Sequence, residues 1–205
     1  MRYRAYLFDF DNTLYDTRDS MNAILVRAMP VLGIDYQESD YDRFIGMDLH
    51  QIFKVSGGNS SNAEEFACEC HKVLDSDAYL SGRMFPETET VLRDLKGQGI
   101  ALAVVSGKQE YKIESLLRRD GMLDLFDCIV GFDSTERHKP FPDPIVECLR
   151  RMGMERHEVL YVGDSDNDID ASLAAGVDHV IVDRDGHIGR DVRRIDSLEG
   201  LIRKN

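Results

Sequence analysis

The chain has little of what marks several large classes of protein. It contains 205 residues, and its 25 lysines and arginines are outnumbered by 38 aspartates and glutamates, giving a formal net charge of −13. This shortage of positive charge argues against a nucleic-acid backbone or an anionic membrane surface as the main partner. No run of about 18 apolar residues occurs, so no membrane-spanning helix is predicted. The amino-terminal sequence MRYRAYLFDFDNT also lacks the apolar stretch of a signal peptide.

Cysteine is scarce and is not arranged for cross-linking. Cys68, Cys70, Cys128 and Cys148 form no CxxC pair, and a chain of this length does not need disulfides, so we expect reduced thiols and a cytoplasmic location. Cys68, Cys70 and His71 form a possible soft-metal site. No second pair completes a tetrahedron, and thiols also pack as small apolar groups, so a structural role is favoured.

What the chain does contain is a rhythm of buried strands and amphipathic helices. Hydrophobic residues make up 42% of it, enough for a packed core. Near-continuous apolar runs lie at 4–8, 100–105, 127–130, 159–162 and 179–182, and helical patterns lie at 86–96, 111–118, 144–152 and 168–175. This alternation predicts an α/β fold with a doubly wound parallel sheet. Gly97, Gly99 and Gly176 are expected just past the ends of helices.

The segment 15–84 interrupts this rhythm. It has no clear strand pattern, its helical spacing falls at 21–32, 41–53 and 64–80, and the sequence GGNSSN at 57–62 predicts a loop between helices. We therefore predict an α/β core formed by 1–14 and 85–205, with a wholly helical insertion at 15–84.

Acidic side chains directly follow two of the predicted strands. The sequence DFDNT occupies positions 9–13, and GDSDNDID occupies 163–170. Ligands bind at the carboxyl ends of strands in open α/β sheets, so both positions suggest a site. Residues two apart on an extended chain point the same way, so Asp9 and Asp11 should face one site. They would repel each other there unless a cation or a shared proton intervenes.

The second acidic sequence is typical of a site for a hard cation. Four carboxylates within 164–170 favour Mg²⁺ or Ca²⁺ over soft metals. An EF-hand loop beginning at Asp164 would need glycine where Ile169 stands and glutamate where Ala175 stands. Helix capping is the alternative role, and it suits Asp166 or Asp170 best.

Two further segments supply groups that bind anions. Ser106 and Gly107 follow the second predicted strand, where a hydroxyl and free backbone amides can cradle a phosphate. Lys139 precedes the fourth strand, and the prolines at positions 140 and 142 restrict its backbone. Each signal is weak alone.

Together, these four segments resemble the motifs of the haloacid dehalogenase-like hydrolase superfamily. They are DFDNT at 9–13, Ser106 in VVSGK, Lys139 in KPFPDP, and the GDxxxD pattern from Gly163 to Asp168. The stretch VGDSDNDIDASLAAG at 162–176 is most similar to the phosphoglycolate phosphatase and pyrophosphatase branch. The resemblance implies a Rossmann-like core and a helical cap inserted after the first motif, at 15–84.

The resemblance also implies a mechanism and a role for each residue. Asp9 would be the nucleophile that forms an aspartyl-phosphate, and Asp11 the general acid and base. Mg²⁺ would be held by Asp9, the backbone carbonyl of Asp11 and Asp164, with Asp168 supporting from outside the ligand set. Ser106, the Gly107 amide and Lys139 would hold the phosphoryl group of a small phosphorylated metabolite. Thr13 and Ser165 would shape the loops by hydrogen bonding.

Several alternatives stay open. Within the family, Asp11 favours phosphate ester or anhydride cleavage over dehalogenation, and the Gly163-Asp164 pair favours a hydrolase over a hexose-phosphate mutase. A pyrophosphatase is compatible with the motifs. A module that is phosphorylated without turnover is disfavoured, because its third strand would carry the aspartate and it would have no helical insertion. A scaffold is disfavoured because the set of motif residues is complete. No GxGxxG follows a strand, which argues against dinucleotide binding. Arg43 and His50 in the insertion are candidate substrate contacts, although Arg43 equally suits a solvated helix.

Overall fold

The protein is described by a computed structural model that covers residues 3–44, 47, 49–76 and 80–202. Residue contacts divide the chain into two compact units. One comprises Met1–Asp16 and Met84–Asn205, and the other comprises Thr17–Arg83. None of the helices in the part of the chain that the structure describes is long and apolar enough to cross a membrane.

The first unit is organised around a six-stranded sheet. In the part of the chain that the structure describes, the strands are β1 (Ala5–Phe8), β2 (Tyr15–Asp16), β3 (Arg83–Met84), β4 (Ala101–Val105), β5 (Cys128–Val130), β6 (Val159–Gly163), β7 (Asp178–Val182) and β8 (Arg194–Ile195). The sheet order is β5-β4-β1-β6-β7-β8, and all neighbours are parallel. This confirms the predicted α/β fold and the five strands read from apolar runs. Strand β8 was missed because its two residues are not buried.

Helices connect the strands of this unit. The α-helices among the described residues are α1 (Arg18–Ala28), α2 (Leu49–Val55), α3 (Ala63–Leu74), α4 (Thr88–Gly97), α5 (Glu110–Arg119), α6 (Asp143–Met152) and α7 (Asp166–Ala175). The last four match the predicted helical patterns within two residues at each end. Gly176 ends α7 in the left-handed conformation as expected (φ 68°). Gly97 is instead the last residue of α4, and Gly99 takes the positive φ of 79°.

The sheet register brings three strand ends together. Phe8 in β1 pairs with Val104 of β4 on one side and with Val162 of β6 on the other. The residues that follow these strands therefore emerge side by side. This edge of the sheet carries the sequences DFDNT, SGK and GDSDND.

The unit Thr17–Arg83 is built mainly from helices and 3-10 turns. Its α1 buries two adjacent stripes. Ile24 and Ala28 pack with residues of α3, whereas Leu25, together with Met29 just after the helix, packs with Tyr41, Phe44 and Ile52. The predicted loop at 57–62 lies between α2 and α3. Cys70 is buried in this core and Cys68 is exposed on the same helix, and all four cysteines are free.

Three predicted details of this segment are wrong. The pattern at 21–32 begins at Arg18 and changes to a 3-10 turn at Met29, because Pro30 cannot continue the α-helical hydrogen bonding. The pattern at 41–53 is a 3-10 turn (Glu38–Phe44) and then α2, with residues 45, 46 and 48 outside the described residues. The pattern at 64–80 ends as an α-helix at Leu74, and residues 77–79 again lie outside the described residues.

The segment 15–84 is also not wholly helical. Strands β2 and β3 occupy its two ends and form a separate two-stranded sheet. Each is two residues long, which is too short to produce an alternating pattern in the sequence.

Candidate functional site

The site begins at the turn that follows β1. The backbone N–H of Asp9 donates to the Val162 carbonyl of β6 at 2.8 Å, which extends the strand pairing to the first acidic residue. The chain then turns tightly. The amides of Leu14 and Tyr15 both donate to the carbonyl of Phe10, and Asn12 takes a left-handed conformation (φ 58°) that asparagine tolerates better than most residues. Phe10 is buried, and it anchors the turn between the two aspartates.

Lys139 lies in the loop before α6, and its ammonium group reaches two of the acids. Its Nζ is 2.6 Å from Asp168 Oδ1 and 2.8 Å from Asp9 Oδ1. Burial disfavours a charged ammonium, but Asp168 and Asp9 outweigh it and hold the pKa of Lys139 well above its usual range. Lys139 is therefore a permanent positive charge on the buried side of the site.

Asp168 is held by hydrogen bonds to both of its carboxylate oxygens. Oδ1 accepts from Lys139 and from the hydroxyl of Tyr161, and Oδ2 accepts from the amide of Asp164 and from the amide and hydroxyl of Ser165. Burial acts to raise its pKa, yet Lys139 and the hydrogen bonds hold the pKa below its usual range. With its acceptor positions filled, Asp168 is suited to organising the site more than to binding a ligand directly.

Gly163 is the residue that makes room for this carboxylate. A Cβ at position 163 would lie 2.4 Å from Asp168 Cγ, far inside van der Waals contact. The side chain of Ser165 caps the helix that carries Asp168, because its hydroxyl accepts from the Asp168 amide. The N-cap is therefore Ser165, and the expectation that Asp166 or Asp170 would cap the helix is wrong. Asp170 instead forms an ion pair with Arg190 at 2.6 Å.

Asp164 is a buried carboxylate with a neutral hydrogen-bond donor. The Thr13 hydroxyl donates to its Oδ1 at 2.9 Å, which links the turn after β1 to the end of β6. Burial and repulsion from Asp168 and Asp9 raise the pKa of Asp164 well above its usual range. Burial likewise raises the pKa of Asp9 to about 6, against the opposing influence of Lys139.

The donor set fits a divalent cation. Asp9, Asp164 and Asp168 each offer an oxygen, and these oxygens lie within 4.8 Å of one another, the only such group of three among the described residues. Lys139 pairs electrostatically with Asp9 Oδ1. Even so, that buried oxygen has no hydrogen bond of acceptable geometry among the described residues. Three buried carboxylates facing one ammonium are short of positive charge, and hard oxygen ligands suit Mg²⁺.

Ser106 and Gly107 stand beside this cluster at the end of β4. Ser106 is buried, and its backbone amide donates to the Val130 carbonyl at 3.0 Å. A Cβ at position 107 would meet no atom within 4 Å, so Gly107 leaves open space above the strand end. Asp11, the second acid of the first motif, points to this side, where its Oδ1 lies 3.0 Å from Lys108 Nζ.

The structure thus brings together Asp9, Asp164, Asp168 and Lys139, and it places Ser106, Gly107 and Asp11 at the same edge of the sheet. Two residues at this edge were missed. The sequence pattern identifies Tyr161 only as part of a buried strand and Lys108 only as part of the VVSGK turn. Tyr161 could have been predicted, because a tyrosine in a buried strand close to the aspartates at its end is well placed to hydrogen-bond with them.

Arg43 and His50 belong to the unit Thr17–Arg83. Arg43 lines a cavity of about 390 Å³ in that unit, together with Ile34, Tyr36, Asp40, Phe44, Met47, Val55 and Ser56. His50 is an exposed residue of α2. Cys68, Cys70 and His71 do not form a metal-ligating group with a further ligand among the described residues.

The sequence profile of the haloacid dehalogenase-like hydrolases matches residues 6–182. The chain belongs to this family. A phosphoglycolate phosphatase of Aquifex aeolicus is 31% identical over 174 residues, which cover 84% of this chain and 81% of the relative. Pyrophosphatase PpaX of Oceanobacillus iheyensis is 25% identical over 177 residues, covering 86% and 82% of the two chains.

A solved structure shares the architecture of this hydrolase along almost its whole length. The crystal structure of a Bacteroides fragilis protein assigned to the haloacid dehalogenase-like hydrolases superimposes with a TM-score of 0.83 at 31% identity. The match covers 98% of this chain and 100% of the other. Fold and family thus agree with the resemblance carried by the four motifs.

Proposed function

We propose that this hydrolase is a Mg²⁺-dependent phosphatase that acts on small phosphorylated metabolites through an aspartyl-phosphate on Asp9. One observation carries the proposal: Asp9 presents a buried carboxylate oxygen whose one positively charged neighbour among the described residues is the Lys139 ammonium, 2.8 Å away and poorly aligned for a hydrogen bond. An acceptor left open beside a fixed cation is suited to attack on an electrophile that brings its own negative charge.

The chemistry assigned to the residues balances in two steps. In the first, an Asp9 oxygen bonds to phosphorus and the bond from phosphorus to the leaving oxygen breaks, while protonated Asp11 gives its proton to that oxygen. In the second, Asp11 takes a proton from water, the water oxygen attacks phosphorus, and the bond to Asp9 breaks. Phosphate leaves and both aspartates return to their starting states.

The phosphoryl group would be held by donors around the end of β4. The Ser106 hydroxyl and the Gly107 amide lie at this strand end, and Lys139 supplies a fixed positive charge from the loop before α6. These groups would stabilise the charge that accumulates on the phosphoryl oxygens as the bonds change. The open space at Gly107 supports this placement, since it leaves room for a phosphoryl group at the strand end.

Mg²⁺ would be held by Asp9, Asp164 and the backbone carbonyl of Asp11, with Asp168 positioning Lys139 and the β6 loop. When bound, the ion would neutralise the clustered carboxylates and the incoming phosphate. The raised pKa values of Asp9 and Asp164 support this assignment, because a bound cation would offset the burial and mutual repulsion that raise them.

We further propose the domain organisation expected from the sequence, with the inserted segment acting as a cap that selects the leaving group. The cavity lined by Arg43 supports a binding role for the unit Thr17–Arg83, since an arginine pairs well with a carboxylate or a phosphate. The names of the relatives favour phosphoglycolate or pyrophosphate as substrates.

The test is a screen for phosphate release with Mg²⁺ across phosphoglycolate, pyrophosphate, sugar phosphates and nucleotides. We expect activity on at least one of them. In the Asp9→Asn variant, we expect that activity to fall by more than about a thousandfold, as when other enzymes lose a nucleophile. Asp183→Asn is a matched control, because it makes the same exchange at a buried aspartate that accepts from the His187 amide and lies outside the acidic group of the site. A flat screen, or near-normal turnover in Asp9→Asn, would contradict the proposal.

A further inference from the structure

Lys108 occupies a position that the proposed mechanism does not use. It lies in the loop between β4 and α5, its side chain is 13% exposed, and its Nζ is 3.0 Å from Asp11 Oδ1. Among the carboxylates of residues 3–44, 47, 49–76 and 80–202, Asp11 is the only one within 4 Å of this ammonium group. Most lysines extend into water, so a largely covered lysine paired with one partly exposed acid needs an explanation.

The backbone around Lys108 is fixed by the turn that follows β5. The Phe132 amide donates to the Lys108 carbonyl at 2.9 Å, and the Glu110 amide donates to Asp133 Oδ1 at 2.9 Å. Gly131 permits this close approach, because a Cβ there would lie 2.7 Å from the Lys108 carbonyl oxygen and 2.6 Å from the Glu110 nitrogen. Two hydrogen bonds and a required glycine therefore hold Lys108 in place.

Lys108 differs from Lys139 in what it faces. Lys139 contacts the nucleophile and Asp168, so its charge serves the phosphoryl group and the buried acids. Lys108 contacts Asp11, whose proposed task is to exchange a proton with the leaving oxygen. A leaving oxygen that is hydrogen-bonded to Asp11 therefore lies next to the Lys108 ammonium. A negative charge one or two atoms beyond that oxygen falls within reach of a direct ion pair.

We propose that Lys108 is a specificity-determining residue that binds a negative charge on the leaving group. The enzyme would then prefer phosphorylated short hydroxy acids and phosphoanhydrides over phosphate esters of neutral alcohols. The inference rests on the proposed function. It adds recognition of the leaving group to recognition of the phosphoryl group. The competing role is that Lys108 only orients Asp11, which would affect all substrates equally.

The experiment compares two substrates that differ in one group. 2-Phosphoglycolate and 2-hydroxyethyl phosphate have leaving groups of the same length, one ending in a carboxylate and the other in a hydroxyl. The ratio of their kcat/KM values is measured with Mg²⁺ for the full chain and for Lys108→Met and Lys108→Arg. Lys96→Met is the matched control, because Lys96 also pairs with one aspartate, Asp127, outside the site.

We expect Lys108→Met to lower this ratio roughly tenfold to a hundredfold, the worth of one hydrogen bond to a charged group. Lys108→Arg should restore most of the preference, and Lys96→Met should leave the ratio unchanged. Equal losses on both substrates in Lys108→Met would overturn the proposal for Lys108 and leave the proposed function intact. If the wild-type enzyme released phosphate from neither ester but from another substrate of the screen, the proposal for Lys108 would be overturned and the proposed function would stand. If it released phosphate from no substrate of the screen, the proposed function itself would be contradicted.

Discussion

The two sides of the site are built in opposite ways. On the Lys139 side, formed by Asp9, Lys139, Tyr161, Asp164 and Asp168, the three acids are buried, the Lys139 side chain is 10% exposed, and Asp168 alone accepts five hydrogen bonds. On the Lys108 side, formed by Lys108 and Asp11, one ion pair joins the two residues, and the Asp11 side chain is 32% exposed.

The difference separates what stays constant in the reaction from what varies. Every substrate of the proposed reaction brings the same phosphoryl group, so the groups that receive it can be locked together by a redundant network. Leaving groups differ in charge and shape. Because the Lys108–Asp11 pair is single and more accessible, Asp11 can leave it to contact different leaving groups while the rest of the site stays unchanged.

The largest expected effect on the Lys139 side comes from a substitution at Gly163. In Gly163→Ala the new methyl group would collide with the Asp168 carboxylate, which is fixed by its hydrogen bonds and cannot easily move. We expect the free energy of unfolding to fall by about 1–3 kcal/mol relative to the wild type, and most phosphatase activity to be lost. Chemical denaturation and phosphate release measure the two effects.

Gly97→Ala provides the control for this substitution. A Cβ at position 97 meets no atom within 4 Å, and the residue ends α4, so alanine should leave stability unchanged or raise it slightly. If Gly163→Ala were as stable and as active as Gly97→Ala, the Lys139 side would be far more tolerant than its hydrogen bonding implies.

A smaller change sharpens the comparison at Tyr161. Its hydroxyl donates to Asp168 Oδ1 at 2.8 Å and accepts from Lys139 Nζ at 3.2 Å, so Tyr161→Phe leaves two buried charges short of one partner each. We expect a stability loss of about 1–3 kcal/mol and a fall in kcat on the order of tenfold, without a change in the substrate ratio that Lys108 controls.

Tyr15→Phe is the matched control for Tyr161→Phe. The Tyr15 hydroxyl donates to Asp120 at the same distance of 2.8 Å but contacts neither Lys139 nor Asp168. It should therefore lose stability while keeping its turnover. Equal loss of turnover in both variants would mean that Tyr161 acts only through overall stability and does not position the charged groups.

The sequence predicted the Lys139 side better than the Lys108 side for a physical reason. Buried parallel strands are continuous apolar runs, so the positions of Asp9 and Asp164 follow from where those runs end. Tyr161 was missed because it lies within an apolar run, where the apolar pattern gives no sign that its hydroxyl hydrogen-bonds to Asp168. The role of Lys108 depends on Gly131, more than twenty residues away, and only the folded chain shows that approach.

The helical segment was harder to predict than the core. Its α1 was recognised, but the change to a 3-10 turn at Met29 and the division of the 41–53 pattern were not. Apolar spacing reports which face is buried, and 3-10 turns and short α-helices share much of that spacing over one or two turns. Capping residues and helix-breaking residues decide whether a 3-10 turn or an α-helix forms. Their preferences are weak, and tertiary contacts can override them.

The measurement that tests the central claim most directly is chemical trapping of the intermediate. The enzyme would be mixed with 2-phosphoglycolate and Mg²⁺, quenched with acid during turnover and treated with borohydride, which reduces an acyl phosphate to an alcohol. The account predicts homoserine in place of aspartate at position 9, detected by peptide mass spectrometry, and none at position 11. Reduction at another acid, or no reduced residue in an enzyme that is turning over, would contradict Asp9 as the nucleophile.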